Sequence, residues 1–144
     1  MRLAFDIEAN GLLHTLTKAF CIGIVDVDSL ERYLFPPSKL IQGIQMLTEA
    51  DLIIAHNGIA YDDPALRLLF DGKYQPKKVF DTLVAARVVY SDVGMKQDIG
   101  LIKKYLRTNG KEGLPPQFKG RHSLEAWGYR LGKHKNAFKL RTMG

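Results

Sequence analysis

The stretch LAFDIEANGL, residues 3–12, decides the fold prediction, because an apolar run leads directly into two acids and a turn signal. Residues 3–5 predict a short buried strand, and the Asn-Gly pair at 10–11 predicts a turn. Because residues i and i+2 of a strand point to the same face, Asp6 and Glu8 can share one cation. A frayed strand end with two solvated carboxylates would also explain this pair.

Three further apolar runs extend this strand into a sheet. The runs AFCIGIVDV at 19–27 and ERYLF at 31–35 lie on either side of an Asp-Ser turn, which predicts a three-stranded antiparallel meander. A helix that Ser38 can cap follows, and then the β-branched run LIIA at 52–55. Such a crossover implies parallel pairing, and Val79-Phe80 is predicted to be the last short strand.

The segment AHNGIAYDDPAL, residues 55–66, directly follows the fourth predicted strand. An Asp is expected to cap the next helix, with Pro64 in its first turn, and that capping role alone would explain Asp62. His56 is predicted to be a satisfied core or turn histidine rather than a metal ligand. Because adjacent central strands end here, we expect Asp62 to lie near the two acids of the first strand.

The second half of the chain is predicted to be helical, with one break. Asp81 is expected to cap a helix that runs to about Tyr90, and a second helix spans about 98–106. After the loop TNGKEGLPPQFKG, a third helix is expected to run from Ser123 to a stop at Gly132. Apolar residues of this last helix, spaced i, i+3 and i+7, are predicted to be core rather than a base-stacking platform: Leu124, Trp127 and Leu131.

Length and composition limit the class of protein. The chain has 144 residues, 46% hydrophobic and 25% charged, which predicts one globular domain over 1–144. A single cysteine excludes a disulfide framework within the chain. No window approaches the ~20 apolar residues of a membrane span, and acids stand where a signal peptide would be apolar. The sequence therefore predicts a soluble protein of a reducing compartment, with no membrane partner.

Charge is distributed unevenly along the chain. Residues 1–95 carry nine Lys and Arg against twelve Asp and Glu, a formal charge of −3, whereas residues 96–144 carry twelve against three, or +9. An acidic half joined to a basic half suits a metal site beside a polyanion track, although a solvated basic surface explains the charge equally well. Lys119 and Arg121 are the first candidates for phosphate contact.

Four motifs together resemble the N-terminal 3'-5' proofreading exonuclease domain of family A bacteriophage DNA polymerases. They are FDIEANGL at 5–12, the HNGxxYDxPAL pattern at 56–66, FDTL at 80–83 and HSLEAWGYRLG at 122–132. Their order and spacing cover nearly the whole chain. The resemblance implies an α/β fold of the ribonuclease-H-like type, a mixed five-stranded sheet flanked by helices, and a four-carboxylate exonuclease that uses two metals.

The resemblance also implies roles for individual residues. Asp6 matches the carboxylate that bridges both metals, Glu8 the one on the metal that holds the attacking water, and Asp62 the aspartate that supports the other metal. Two Mg²⁺ or Mn²⁺ ions ~4 Å apart can activate water and stabilise the leaving 3' oxygen. Beside them, Asn57 and Tyr61 are candidate nucleic-acid contacts.

One motif of that family is not found in these 144 residues. A Tyr-x-x-x-Asp motif normally follows the last helix and supplies the fourth carboxylate, but the segment KHKNAFKLRTMG at 133–144 contains no acid. We therefore expect a truncated and impaired exonuclease. His122 and His134 are weak candidates to replace the missing group.

The expected partners are a single-stranded DNA 3' end and a DNA polymerase domain downstream in the native gene. The expected location is the cytoplasm of a phage-infected or prophage-carrying bacterium. The alternative, from another class, is a non-catalytic module that binds nucleic acid or a polymerase.

Overall fold

The structure, a computed structural model, describes residues 1–133. The chain divides into two compact units, Met1–Thr82 and Leu83–Gly144, and each is described by itself. The expectation of one domain over 1–144 stays a prediction. His134 lies outside the described residues.

The first unit contains a five-stranded mixed sheet in the order β3-β2-β1-β4-β5. β1 pairs antiparallel with β2, which pairs antiparallel with β3, whereas β1 and β4, and β4 and β5, are parallel. The predicted meander, the parallel crossover and the mixed α/β sheet flanked by helices are all confirmed. The strands are β1 (Arg2–Ala9), β2 (Ala19–Asp26), β3 (Arg32–Phe35), β4 (Leu52–Ala55) and β5 (Val79–Asp81).

Five α-helices and two short 3-10 turns complete the described chain. The α-helices are α1 (Leu40–Glu49), α2 (Asp62–Leu69), α3 (Thr82–Val89), α4 (Gln97–Arg107) and α5 (Leu124–Leu131), and the 3-10 turns are Pro37–Lys39 and Pro116–Phe118.

The start of α1 differs from the prediction. Ser38 lies inside the 3-10 turn, and α1 begins after Lys39 with no side-chain cap. The physical reason is that the two prolines set a turn closed by the Lys39 N–H donating to the carbonyl of Pro36 at 2.8 Å. The predicted serine cap is therefore wrong.

The core of the first unit lies between the sheet and the apolar faces of its helices. Ile44 and Leu47 of α1 are fully buried, as are Ala65 and Leu66 of α2. They pack in one cluster with the buried strand residues Leu3, Phe5, Ile7, Ile22, Ile24 and Ile53. Burial alternates along β1, so the same strand that supplies the core leaves its other face for polar side chains.

The second unit confirms the predicted bounds of α5. The Ser123 side chain accepts a hydrogen bond from the Ala126 N–H at 3.2 Å, and Gly132 ends the helix in the left-handed conformation at φ 66°. The predicted core stripe is wrong, however, because Leu124 is 58% and Leu131 67% exposed. Periodicity identified an apolar face but not whether a partner covers it.

Among the described residues, no helix has the length and apolar character needed to cross a bilayer.

Candidate active site

Two acids project from one face of the central strand β1. Asp6 and Glu8 are exposed, and Ile7 between them is buried, so the predicted same-face arrangement is confirmed. On one side, both residues pair with β2, whereas the pairing of β1 with β4 ends at Ala4, before the two acids.

The neighbouring strand β2 brings a thiol to these acids. Cys21 is the register partner of Glu8. Burial raises the pKa of the Cys21 thiol, and the negative charges of Glu8 and Asp6 raise it further. The position of Cys21 beside Glu8 depends on the strand register, so the sequence alone does not predict it. The thiol stays protonated at neutral pH.

Asp62 lies at the first residue of α2 and is only 5% exposed. Burial, first, and the charge of Asp6, second, raise the pKa of its carboxyl to about 7, while a backbone hydrogen bond from Ile7 opposes this shift. The two acids therefore interact electrostatically, as predicted from the positions of the strand ends. A cation between them would offset both the repulsion and the burial cost.

The capping role that would have explained Asp62 is not observed. The N-cap position of α2 is occupied by Tyr61, and no side chain caps the helix there. The predicted Asp cap is wrong because the helix begins at Asp62 itself, one position later than the cap. Pro64 lies in the first turn, as expected.

The turn between β4 and α2 carries the two predicted nucleic-acid contacts. Asn57 is exposed and adopts φ 61°, a left-handed conformation that Asn tolerates better than most residues. Tyr61 is half-buried, and its hydroxyl donates to the carbonyl of Gly11 at 2.6 Å. The side chain of Asn57 is thus open to a ligand, whereas the hydroxyl of Tyr61 ties this turn to the loop after β1.

His56 is only partly satisfied. Its Nδ1 lies 2.9 Å from the hydroxyl oxygen of Thr82, but its buried Nε2 has no hydrogen-bond partner within residues 1–133. The Thr82 hydroxyl also lies 3.4 Å from the carbonyl of Ala55. These contacts match the predicted turn histidine at one ring nitrogen only.

Asp81, which the sequence predicts only as a helix cap, is a further acid at this edge. It ends β5 opposite Ala55 and is 5% exposed. Its two carboxylate oxygens accept hydrogen bonds from the N–H groups of Asn57 and Ile59, at 3.0 and 3.1 Å. Its charge also contributes to the raised pKa of Asp62. The motif FDTL was the available signal, but no local pattern predicts these two long-range bonds.

The fit of this edge to a divalent cation is partial. Within residues 1–133, no group of three or more His, Cys, Asp or Glu side chains is close enough to hold a metal ion. Asp6 and Asp62 nevertheless supply carboxylate oxygens, the donors that Mg²⁺ and Mn²⁺ prefer. Their mutual repulsion is what a hard cation would relieve, so the donor chemistry fits although a complete cage is not formed.

The second unit contains the predicted basic contacts. Lys119 and Arg121 are both exposed in the loop before α5. Between them, the Gly120 N–H donates to Asp98 at 2.8 Å, and Asp98 is fully buried against Arg130 in a two-bond ion pair, each bond 2.8 Å. His122, the weak replacement candidate, is half-buried with its ring centre 5.8 Å from that of Trp127.

Comparison with known proteins gives concordant results. The RNase_H_2 family model, of the RNase_H superfamily, matches residues 3–127. The chain is 38% identical to a DNA-directed DNA polymerase of Escherichia phage T7, over 93% of this chain and 19% of the polymerase. It is 39% identical to a DNA-directed DNA polymerase of Enterobacteria phage T3, over 95% of this chain and 20% of the polymerase. The chain thus spans about a fifth of the length of these curated relatives.

Proposed function

The chain belongs to the RNase H superfamily, and we propose that it is a 3'-5' exonuclease domain that removes nucleotides from a single-stranded DNA 3' end. The observation that carries this proposal is the interaction of Asp6 with the buried Asp62 at the edge where parallel strands end. Similarity to two phage DNA polymerases supports DNA as the substrate and proofreading beside a polymerase domain in a phage-infected bacterium as the context.

The proposed reaction needs a divalent metal, Mg²⁺ or Mn²⁺, which would polarise the scissile phosphate and lower the pKa of the attacking water. Asp6, Glu8 and Asp62 would hold it through carboxylate oxygens. Asn57 and Tyr61, on the turn before Asp62, would orient the terminal nucleotide. Lys119 and Arg121, in the second unit, would neutralise phosphates of the bound DNA.

Three carboxylates are fewer than the four that the resemblance implies, so we propose that the 144-residue chain hydrolyses DNA slowly. Loss of one charged group at a site that stabilises developing charge commonly costs several kcal/mol, or roughly 10³-fold in rate. The residual rate should be higher in Mn²⁺ than in Mg²⁺. Adding the missing carboxylate from a segment bearing Tyr-x-x-x-Asp should restore activity.

The test is degradation of a single strand labelled at its 5' end, with metal and with EDTA. Wild type is compared with Asp6→Ala and with the matched control Asp71→Ala, whose aspartate is exposed beyond the end of α2. We expect slow, metal-dependent shortening from the 3' end that Asp6→Ala abolishes and Asp71→Ala retains. Shortening that persists in Asp6→Ala would contradict the assignment.

A second candidate, a non-catalytic nucleic-acid-binding or polymerase-interacting module, is favoured by the formal charge of +9 over residues 96–144. This module would bind DNA independently of metal and of Asp6. If the extended protein also lacks activity but binds DNA through its basic residues, the module is the correct function.

A further inference from the structure

The carboxylate of Asp81 joins the end of β5 to the turn that follows β4. One of its oxygens accepts from the Asn57 N–H at 3.0 Å and the other from the Ile59 N–H at 3.1 Å. Because Asp81 is 5% exposed, water has little access to replace these bonds. Hydrogen bonds to an ionised acceptor are stronger than those between neutral groups.

The turn held in this way is internally tight. The carbonyl of Asn57 accepts from the N–H groups of Ala60 and Tyr61, both at 3.2 Å. A Cβ on Gly58 would lie 2.6 Å from the Cβ of Ala55, so the turn approaches the end of β4 as closely as its backbone allows. Movement at one residue of this turn is therefore passed to its neighbours.

The same turn leads directly into the buried acid of the candidate site. The carbonyl of Gly58 accepts from the N–H of Asp63 at 2.8 Å, which ties the turn to the first residues of α2. The side chain of Tyr61, the N-cap residue, makes no capping hydrogen bond to that helix. The position of Asp62 thus depends on how the preceding turn is anchored, as well as on the backbone hydrogen bond from Ile7.

We propose that Asp81 is a positioning residue for the candidate active site, acting through the turn at 57–61 on Asp62. The proposal rests on the proposed function, because it assigns Asp81 a role in holding a metal ligand in place. Asp81 does not bind the metal or the DNA in this proposal. Its role is to hold the backbone N–H groups of Asn57 and Ile59, which precede Asp62 by five and three positions.

A purely structural role makes a different prediction. If Asp81 only closed the fold, its replacement would lower overall stability and leave the metal affinity of the remaining folded protein unchanged. A positioning role lowers metal affinity even where the sheet stays intact. The two roles are therefore distinguished by measuring local exchange, overall stability and metal binding on the same variants.

The experiment compares wild type with Asp81→Asn, Asp81→Ala and the exposed control Asp71→Asn, all in the full chain. Amide hydrogen exchange is followed at Asn57 and Ile59 and, as an internal reference, at Ile53 in β4. Mn²⁺ binding is measured by water-proton relaxation. Asp81→Asn keeps the size of the side chain but loses the charge and one acceptor.

We expect Asp81→Ala to raise exchange at both Asn57 and Ile59 by about tenfold or more, and Asp81→Asn to raise it at least at the N–H that loses its acceptor, with Ile53 unchanged, because bonds to a charged acceptor are lost. Mn²⁺ affinity should fall about fivefold to tenfold in the same variants, and Asp71→Asn should match wild type. Unchanged exchange in Asp81→Ala would overturn the anchor. Faster exchange with unchanged Mn²⁺ affinity would overturn the positioning role.

Failure of the proposed function would give a different result. In that case the wild type itself would bind no Mn²⁺, or Asp6→Ala would bind it equally well. This outcome would overturn the metal site and the positioning role with it. Failure of the positioning role alone leaves a wild type that binds Mn²⁺ in an Asp6-dependent way.

Discussion

At the residue scale, the buried carboxyl of Asp62 lowers the stability of the folded protein without metal. Its carboxyl is buried beside Asp6, and its pKa is raised from the ordinary value to about 7. A raised pKa means that the folded protein holds a proton which the unfolded chain has already lost above about pH 4. Asp62 therefore stabilises the fold less as pH rises from about 4 to about 7, and no further change follows above that range.

The first prediction concerns Asp62→Asn without metal, which removes the buried charge. The difference in unfolding free energy between Asp62→Asn and wild type should rise with pH in favour of the variant, by on the order of 4 kcal/mol between pH 4 and pH 8. Urea denaturation in EDTA at a series of pH values measures it. The exposed control Asp71→Asn should show no such trend, and a pH-independent difference for Asp62→Asn would contradict the burial argument.

The second prediction concerns the same variant with metal present, which should narrow the difference in stability at high pH. A cation that binds the ionised Asp62 carboxylate stabilises only the folded protein, by about 1.4 kcal/mol at ten times the dissociation constant. Mn²⁺ at pH 8 should therefore raise the unfolding free energy of wild type and leave that of Asp62→Asn nearly unchanged. Equal stabilisation of both proteins would place the ion elsewhere.

At the element scale, the buried pair of Asp98 and Arg130 joins α4 to α5 within the second unit. The Asp98 carboxylate is fully buried and also accepts from the Gly120 N–H, which fixes the loop carrying Lys119 and Arg121. The pKa of the Asp98 carboxyl is held below its ordinary value by hydrogen bonds from Arg130 and Gly120, against the opposing effect of burial. The carboxylate is thus ionised at neutral pH, and both members of the pair are charged.

The third prediction follows from removing one member of this pair. Asp98→Ala leaves the Arg130 guanidinium buried without its anion, which should lower the unfolding free energy by about 3–5 kcal/mol. The double variant Asp98→Leu/Arg130→Met removes both charges and should recover most of that loss. Chemical denaturation followed by Trp127 fluorescence reports on this unit. A double variant less stable than Asp98→Ala would contradict the prediction.

The elements also show what sequence can predict and what it cannot. The Ser123 cap and the Gly132 stop were predictable because both depend on residues within one helical turn. The predicted caps at Ser38 and Asp62 failed because neighbouring turn geometry set where each helix begins. The bonds from Asp81 to Asn57 and Ile59 depend on the register of β4 against β5, which a single sequence does not encode locally.

At the scale of the whole molecule, the candidate site was predicted because its chemistry is concentrated at strand ends. Asp6 and Glu8 could be placed on one face from strand alternation alone, and Asp62 near Asp6 from the parallel crossover. What could not be predicted was the depth of burial of Asp62, since this depends on packing among the strands and α2. The uneven distribution of charge along the chain could also be predicted from the sequence alone.

The fourth prediction concerns the salt dependence of single-stranded DNA binding in EDTA. If about three phosphates are neutralised, log K should fall with log salt concentration at a slope near −2. Lys119→Glu/Arg121→Glu should weaken binding and bring the slope closer to zero, because exposed side chains in one loop are removed as phosphate contacts. Lys73→Glu/Lys78→Glu, an equal change of charge on exposed residues of the first unit, is the matched control. Fluorescence anisotropy with an oligonucleotide measures both slopes. If the two double variants change the slope equally, net charge alone governs binding and the loop before α5 is not a specific contact.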